Sequence, residues 1–355
     1  KQGTAFSFFA DNSQENRLFD QKEFYNKCSY LDWANDISPI IEQSKFDRAS
    51  ILSLTVMINQ ERCFQEFEVD SKQFINDISR TLIELRLTIK TNNSLLNIKR
   101  NVCNKGLLDK DAIKNLVKCE IDKIEHQYYP FIGLDLICIN PEEYEIILPA
   151  GIGGIYVHEA LGHCLEGDLY FKKDSVLHGR LGQRITSNSC ISISDSCDSN
   201  DLIYYNMSDD GSIPKTVNLI DEGYLVNVMT DEYTANFYGI DNTGNGRTFD
   251  CFSFPIPRMR NTYIHNGNQS PKDIIESTHK GIIATDILGG NVIVQNGNFV
   301  FNVAHALVIE NGEIIGITAP FLFTGNIIQS LDRVDAIGND LSFVHAVCGK
   351  SGQLI

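Results

Sequence analysis

The alternation of apolar and polar positions predicts the first secondary-structure elements of this chain. Residues 52–58 and 83–89 alternate strictly between the two classes, which is typical of half-buried β-strands. Residues 113–124 place their apolar side chains on one face at helical spacing, which predicts an amphipathic helix. Residues 134–138 and 145–148 are short apolar runs that we interpret as strands.

Hairpin signals dominate the rest of the chain. Short turn sequences separate apolar runs at three places: Asp221–Gly223 between 217–220 and 224–229, Asn296–Gly297 between 291–294 and 299–303, and Asn311–Gly312 between 306–309 and 313–317. Asn-Gly between apolar runs is the strongest short-range hairpin signal. This half of the chain is therefore predicted to consist mainly of antiparallel strands.

One helix interrupts these hairpins. Ser270 is the expected N-cap, Pro271 fits the first turn, and Gly281 is expected to close the helix. Together the patterns predict an α+β fold. A mixed α/β domain over residues 1–140 is followed by an antiparallel, hairpin-rich β domain over residues 141–355, which carries a helix with two histidines.

Composition narrows the class of protein. With 355 residues and 43% hydrophobic content, the chain is long enough for two globular domains. Its formal net charge of −16 argues against nucleic acid or an anionic membrane surface as a partner. The 10 cysteines are scattered without C-x-x-C pairs, as in reduced cytosolic proteins. No signal peptide or membrane-spanning apolar run is visible, so we expect a cytoplasmic protein.

Residues 158–163 contain the most informative chemistry. His158 and His163 flank a short interval, and Glu159 follows the first histidine. Imidazoles are common zinc ligands, and a neighbouring carboxylate can accept a proton from water at the metal. Positions i and i+5 lie roughly 140° apart on a straight helix, so both histidines reach one ion only if the helix kinks, bulges or ends between them. Gly162 stands where such a break is needed, because glycine tolerates backbone conformations that end helices.

A catalytic zinc needs a third protein ligand. Spacing alone leaves several candidates open: Cys164, Glu166, Asp168, His178, Asp195, His345 and Cys348. Glu166 and Asp168 could instead orient a histidine by hydrogen bonding. A thiolate at Cys348, near the cation of Lys350, is a credible ligand.

Six segments in order along the chain resemble the signature of the TldD/PmbA metalloproteases. They are His158–Asp168, Asp221–Gly223, Thr243–Arg247, Pro257–Tyr263, Gly338–Leu341 and Cys348–Gln353. The resemblance covers roughly residues 141 to 353 and is closest to the metal-bearing, TldD-like type of subunit. The family has a longer N-terminal region and a Gly/Pro-rich stretch after the last motif, and this sequence departs from that pattern at both places.

The resemblance implies a zinc-dependent peptidase acting on unstructured peptides or peptide precursors. Carried over to this chain, it implies one Zn²⁺ held by His158, His163 and Cys348, with Glu159 as general base. It also implies a dimer, formed with a TldE/PmbA-like paralogue or with a second copy. Arg258 and Tyr263 are candidates for binding substrate.

Two other functions stay open from the sequence. Cys348 with His345 could form the nucleophilic pair of a thiol hydrolase. Alternatively, the chain could be a non-catalytic peptide-binding or scaffold subunit with a structural zinc. A chelator separates the first alternative from a zinc enzyme, and Glu159→Gln separates the second.

Overall fold

The structure is a computed structural model that describes residues 5–9, 39–40, 51–69, 72–90, 95–128, 132–140, 144–248, 253–346, 348–351 and 353–354. It forms two compact units, and each is assembled from separated stretches of the chain. The first contains residues 1–62, 79–138 and 315–319, and the second contains 63–78, 139–314 and 320–355. The predicted division at residue 140 stays a prediction, because a domain boundary is a statement about independent folding.

The described strands, in chain order, are β1 (Ala5–Phe9), β2 (Ile51–Val69), β3 (Lys72–Lys90), β4 (Leu95–Lys105), β5 (Leu136–Ile137), β6 (Glu145–Ile147), β7 (Ile193–Ser196), β8 (Val217–Asp221), β9 (Tyr224–Leu225), β10 (Gly246–Arg247), β11 (Ile256–Pro257), β12 (Asn261–Ile264), β13 (Lys280–Ile293), β14 (Asn298–Glu310), β15 (Glu313–Thr318), β16 (Phe321–Asn326), β17 (Gly349–Lys350) and β18 (Gln353–Leu354). The described helices are α1 (Lys110–Tyr128), α2 (Ile152–Tyr156), a π-helical turn (Val157–Leu161), a 3₁₀ turn (Gly162–Leu165), α3 (Gly167–Phe171), α4 (Glu232–Tyr238), α5 (Pro271–Ser277) and α6 (Ile327–Asp332).

The first unit combines a sheet with one long helix. The sheet has the order β1-β2-β3-β4, with β1 parallel to β2 and β3 antiparallel to β4. Alternate residues of β3 are buried from Ile83 to Ile89, as the sequence pattern predicts. They pack against the buried face of α1, which includes Ile113, Val117 and Ile124. The predicted strands at 52–58 and 83–89 and the predicted helix at 113–124 are therefore confirmed.

The second unit contains the candidate chemistry. In its larger sheet, β14 pairs antiparallel with β13 and β16, and β6 pairs parallel with β13. A smaller antiparallel sheet has the order β12-β7-β8-β9. The core contains a cluster of aromatic rings, in which Tyr156 contacts Phe299, Phe301 and Phe323. This cluster packs beside the π-helical turn and fixes the end of α2 inside the unit.

Strands outnumber helices and most pairings are antiparallel, so the predicted α+β fold class is confirmed. The turns at Asp221–Gly223 and Asn311–Gly312 have positive φ at both central residues, as two-residue hairpin turns require. The run at 224–229 is only partly a strand, since β9 ends at Leu225. The runs at 134–138 and 145–148 form the shorter strands β5 and β6.

One helix boundary differs from the prediction. Ser270 caps α5 as expected, and its side chain accepts a hydrogen bond from the backbone N–H of Asp273. The helix ends at Thr278, however, and the prediction that Gly281 closes it is wrong. Gly281 lies in β13 opposite Glu145, where a Cβ would stand 2.5 Å from the Thr278 methyl carbon. Close strand packing, not a helix end, explains this glycine.

Candidate metal centre

The two histidines are carried by a break in the helix. Helix α2 widens after Tyr156 into the π-helical turn, and the N–H of Gly162 donates to the carbonyl of Val157. A bond across five residues places i and i+5 on the same side of the turn. The rings of His158 and His163 accordingly lie 5.1 Å apart between centroids, nearly perpendicular. The predicted bulge between the histidines is confirmed.

Gly162 has a different role from the one expected of it. Its φ of −55° and ψ of −45° are ordinary right-handed helical values, so conformational freedom is not what this position requires. A Cβ at Gly162 would stand 1.9 Å from the sulfur of Met259. Glycine is needed here because the Met259 side chain occupies the space that any larger residue would fill.

Cys348 completes a cluster of four donors. Its sulfur lies 3.1 Å from Nε2 of His163, although 185 positions separate the two residues. The ligand atoms of His158, Glu159, His163 and Cys348 all lie within 4.8 Å of one another. In the part of the chain that the structure describes, no other group of three or more such residues comes together in this way.

Other candidates for the third ligand have separate partners. The sulfur of Cys164 faces the carbonyl of Ala160 at 3.7 Å, and burial raises the pKa of this thiol to about 12. Asp195 forms an ion pair with Arg260, in which Oδ2 lies 2.8 Å from Nε. Nδ1 of His178 lies 2.8 Å from the carbonyl of Tyr170. His345 is half-buried and lies outside the four-donor cluster.

The two histidines differ in protonation, and only His158 is in the form that binds a metal directly. Burial and the neighbouring His163 lower the pKa of His158 to about 3, so its imidazole is neutral, which is the form that binds metals. Its buried Nε2 has no hydrogen-bond partner among the described residues. Burial also opposes charge on His163, but Glu166 and Cys348 outweigh it and raise its pKa to about 10. His163 would have to release this proton to serve as a metal ligand, so metal binding would be coupled to proton release.

The donor set fits zinc. Two imidazole nitrogens, one sulfur and one carboxylate are the ligand types that Zn²⁺ accepts, and three of them can bind while the fourth acts on substrate. The unpartnered nitrogen of His158 is a buried polar atom that a bound cation would satisfy. The residues present are therefore compatible with the metal that the motif predicts.

Glu166 and Asp168 both contact Lys350, but only Glu166 contacts a histidine of the cluster. Oε2 of the fully buried Glu166 lies 2.8 Å from Nδ1 of His163, the contact expected of a carboxylate that orients a metal-binding histidine. Oδ1 of Asp168 instead accepts a hydrogen bond from the ammonium of Lys350 at 2.6 Å. Their predicted orienting role remains a prediction, with direct geometric support for Glu166 only.

The two candidate substrate-binding residues also differ in position. Arg258 is buried, and its Nη2 donates to the carbonyl of Cys348 at 3.0 Å. Its Nη1 is buried without a hydrogen-bond partner among the described residues. Tyr263 is half-buried on β12, where its ring stacks on His265 at 5.2 Å and meets Phe343 edge-on at 5.8 Å. Their roles in substrate binding stay predictions.

The sequence interpretation did not predict the contacts that two residues make near the centre. Met259 lies under Gly162, and Lys350 bridges Glu166 and Asp168. Both belong to motifs that carry the family resemblance, but neither is a metal ligand or a proton donor of the usual type. The available sequence signal for Lys350 was its position two residues after Cys348, a candidate ligand.

With the fold and the cluster described, the chain can be placed in a class: it has the architecture and the donor set of a metallopeptidase. The family model described as the PmbA/TldA metallopeptidase C-terminal domain matches residues 141–353. The chain therefore belongs to the PmbA/TldD metallopeptidase family, which confirms the resemblance found in the motifs.

Curated relatives bear metalloprotease names. The chain is 32% identical over 240 residues to a metalloprotease TldD homolog of Buchnera aphidicola, covering 66% of this chain and 50% of that protein. It is 31% identical over 215 residues to a zinc metalloprotease TldD homolog of Saccharolobus solfataricus, covering 60% and 48%. The chain thus spans about half the length of the curated relatives it matches.

Solved structures share the fold. TldE from Thermococcus kodakarensis is similar with a TM-score of 0.61 and 23% identity, covering 76% of this chain and 59% of that one. A putative modulator of DNA gyrase from Thermotoga maritima is similar with a TM-score of 0.72 and 16% identity, covering 95% and 75%. Among the described residues, no helix has the length and apolar character needed to cross a bilayer.

Proposed function

We propose that this chain is a zinc-dependent peptidase of the HExxxH type that hydrolyses unstructured peptides or peptide precursors. The observation that carries the proposal is the convergence of His158, Glu159, His163 and Cys348 within 4.8 Å. The family supports it, and so does the zinc metalloprotease name of one relative. In this proposal His158, His163 and Cys348 hold one Zn²⁺. The metal, when bound, would supply Lewis acidity and make water more acidic.

Glu159 is the proposed general base. Its carboxylate lies 3.7 Å from Nε2 of His163, and its side chain is 21% exposed, so it borders the cluster and is still reached by solvent. Burial raises the pKa of Glu159 above the ordinary value for a glutamic acid, which makes it a better acceptor for the proton of the attacking water. The same carboxyl then donates that proton to the leaving amine.

Neighbouring residues position this chemistry. Glu166 fixes the orientation of His163 through Nδ1, so that Nε2 points into the cluster. The unpartnered Nη1 of Arg258 is a candidate donor to the oxygen of the substrate carbonyl as negative charge develops on it. Tyr263 and Phe343 form an aromatic pair that a substrate side chain could contact.

Partners and location belong to the same proposal. We infer a dimer, with a TldE/PmbA-like paralogue or with a second copy, on the basis of family membership and the fold shared with TldE. Free thiols support a reducing compartment such as the cytoplasm, and those among the described residues include Cys103, Cys119, Cys138, Cys164, Cys190, Cys197 and Cys348. The net charge of −16 continues to disfavour nucleic acid as a partner.

One observation favours a second function. The contact between the Cys348 sulfur and His163 is also the arrangement of a thiol–imidazole pair, with His163 rather than His345 as the base. Elemental analysis for zinc, followed by peptide hydrolysis with and without a chelator, decides between the two. A zinc peptidase loses activity on chelation and recovers it with Zn²⁺, whereas a thiol hydrolase is unaffected by the chelator and inactivated by iodoacetamide.

A further inference from the structure

The segment that carries Cys348 is held in place by a buried lysine. Lys350 is only 9% exposed, and its ammonium has three acceptors. They are Oδ1 of Asp168 at 2.6 Å, the carbonyl of Pro257 at 2.9 Å and Oε2 of Glu166 at 3.1 Å. A buried ammonium with this many short contacts has little freedom to move, and neither has the backbone that bears it.

Glu166 connects this lysine to the histidine helix. The oxygen that lies 3.1 Å from Lys350 Nζ is the same Oε2 that lies 2.8 Å from Nδ1 of His163. One carboxylate oxygen therefore joins the 3₁₀ turn that bears His163 to the segment that bears Cys348. The two candidate ligands, far apart in sequence, are thus linked through Glu166 as well as by their direct contact.

Lys350 supplies positive charge beside the buried Glu166 carboxylate, and the link through Glu166 depends on that charge. Glu166 is completely buried, and the Lys350 ammonium lies 3.1 Å from its Oε2. A buried carboxylate that loses the cation beside it carries a large desolvation cost, which favours its displacement from this position. Without Lys350, the carboxylate would no longer hold both segments.

Arg258 secures the same segment from its other end. Its Nη2 donates to the backbone carbonyl of Cys348 at 3.0 Å, and its Nε lies 3.7 Å from Oε1 of Glu166. The short hairpin of β17 and β18 pairs Lys350 with Gln353. The cysteine is thus fixed at its own carbonyl and again through the side chain two residues later.

We propose that Lys350 is a positioning residue that holds Cys348 within reach of the two histidines, by tying the 348–350 segment to Glu166 and Asp168. This rests on the proposed zinc site. Lys350 touches neither substrate nor metal in this role. Its effect is on the third ligand, so it acts first on metal affinity and on thiolate ligation.

The test compares Lys350→Met with Lys272→Met in the full 355-residue chain. Lys272 is a matched control, because its side chain is 80% exposed and lies 3.5 Å from Glu276 on a surface helix. Zinc affinity is measured by competition with a chromophoric chelator. Thiolate ligation is measured in Co²⁺-loaded protein as the near-ultraviolet sulfur-to-cobalt absorption band that Cys348→Ser removes. Circular dichroism reports whether each variant folds.

We expect Lys350→Met to bind zinc about 10- to 100-fold more weakly, as changes to residues behind a metal ligand commonly do. It should also lose most of the Cys348-dependent band, while Lys272→Met matches the unaltered chain in both measurements. A folded Lys350→Met protein with unaltered affinity overturns the proposal. So does one that binds more weakly but keeps the full band, because its thiolate would then be in place without the lysine.

A second variant decides the matter if Lys350→Met does not fold. Asp168→Asn keeps the size and shape of one Lys350 partner and leaves the ammonium its contacts with Glu166 and the Pro257 carbonyl, so it is a milder change than Lys350→Met. A loss of zinc affinity of a few-fold, with a weakened band, supports the tether, and unaltered affinity overturns it. If the unaltered chain binds zinc with the Cys348-dependent band but cleaves no peptide, the peptidase proposal fails and the inference stands. If that chain shows no such band, the inference falls with the site.

Discussion

Gly162 and Met259 are in direct contact at the turn that brings the two histidines together. The space beside the Gly162 Cα is filled by the Met259 thioether, so that a Cβ would stand 1.9 Å from Sδ and 2.9 Å from the terminal methyl. Met259 is buried and follows Arg258, which holds Cys348. The contact therefore couples the path of the π-helical turn to the strand region behind the third candidate ligand.

Replacement of Gly162 by Ala is expected to impair the metal centre. The added methyl group forces Met259 or the π-helical turn to move, and overpacking of this kind costs about 1–3 kcal/mol. Gly154→Ala is the matched control, since the same methyl group meets no atom within 4 Å on the preceding helix. We expect the control to be neutral or up to about 1 kcal/mol more stable, because alanine favours helix over glycine. Thermal unfolding and zinc titration of both variants measure this, and equal behaviour would contradict the packing argument.

Glu159→Gln is expected to separate metal binding from catalysis. The amide has nearly the same shape as the carboxylate but cannot accept the proton of the attacking water, so hydrolysis falls by about 10²–10⁴-fold. The three proposed ligands are untouched, and zinc content should stay at the level of the unaltered chain. Glu313→Gln, at an exposed position on β15, is the control for the loss of a negative charge. Retained hydrolysis in Glu159→Gln would remove this residue from the mechanism.

Asp195→Asn is expected to destabilise the second unit. Asp195 and Arg260 form an ion pair at 2.8 Å in which both side chains are completely buried. Removal of one partner leaves a buried charge without compensation, which costs about 3–5 kcal/mol. Lys272→Ala breaks an exposed pair and should change the free energy of unfolding by less than about 1 kcal/mol. Denaturant unfolding of the two variants gives both values, and a cost for Asp195→Asn as small as that of the control would show that the pair is not needed.

Asp332 is expected to make the free energy of unfolding depend on pH in the acidic range. Its Oδ1 accepts hydrogen bonds from Ser187 N at 2.7 Å, Ser187 Oγ at 3.0 Å and Thr186 Oγ1 at 2.8 Å. These bonds, the backbone one first, lower the pKa of this exposed carboxyl. A lowered folded-state pKa stabilises the fold above the unfolded value of about 3.9, and this contribution is lost as the pH falls through the folded value. NMR titration of the Asp332 carboxyl in native and unfolded protein measures the difference, and equal values would refute it.

Local patterns were sufficient for several of the elements and for half of the candidate centre. Alternation located β2 and β3, glycine-containing turns located the hairpins, and the spacing of His158 and His163 required a bulge that the structure contains. The spacing of residues could not select Cys348 as a ligand. Cys348 reaches the histidines only because segments distant in sequence pack against the π-helical turn. The packing of Met259 and the tie through Lys350 arise between segments that are distant in sequence, and no local signal reports such contacts.

The roles that the sequence predicted for two glycines were wrong. Gly281 and Gly162 were interpreted by their backbone freedom, which is the usual reason for glycine at helix ends. In the structure both are small because another side chain, from Thr278 or Met259, occupies the neighbouring space. Sequence alone does not distinguish a glycine that is needed for its backbone conformation from one that is needed because a neighbouring atom leaves no space for a Cβ.

The distance of 185 positions between His163 and Cys348 has a consequence for biosynthesis. The histidine helix is synthesised 185 positions before Cys348, so a nascent chain carries two of the three proposed zinc ligands while the intervening residues are added. In the proposed site, a polypeptide that ends before position 348 lacks the thiolate ligand, and it is expected to bind zinc more weakly. Completion of the proposed site therefore requires translation to pass this position.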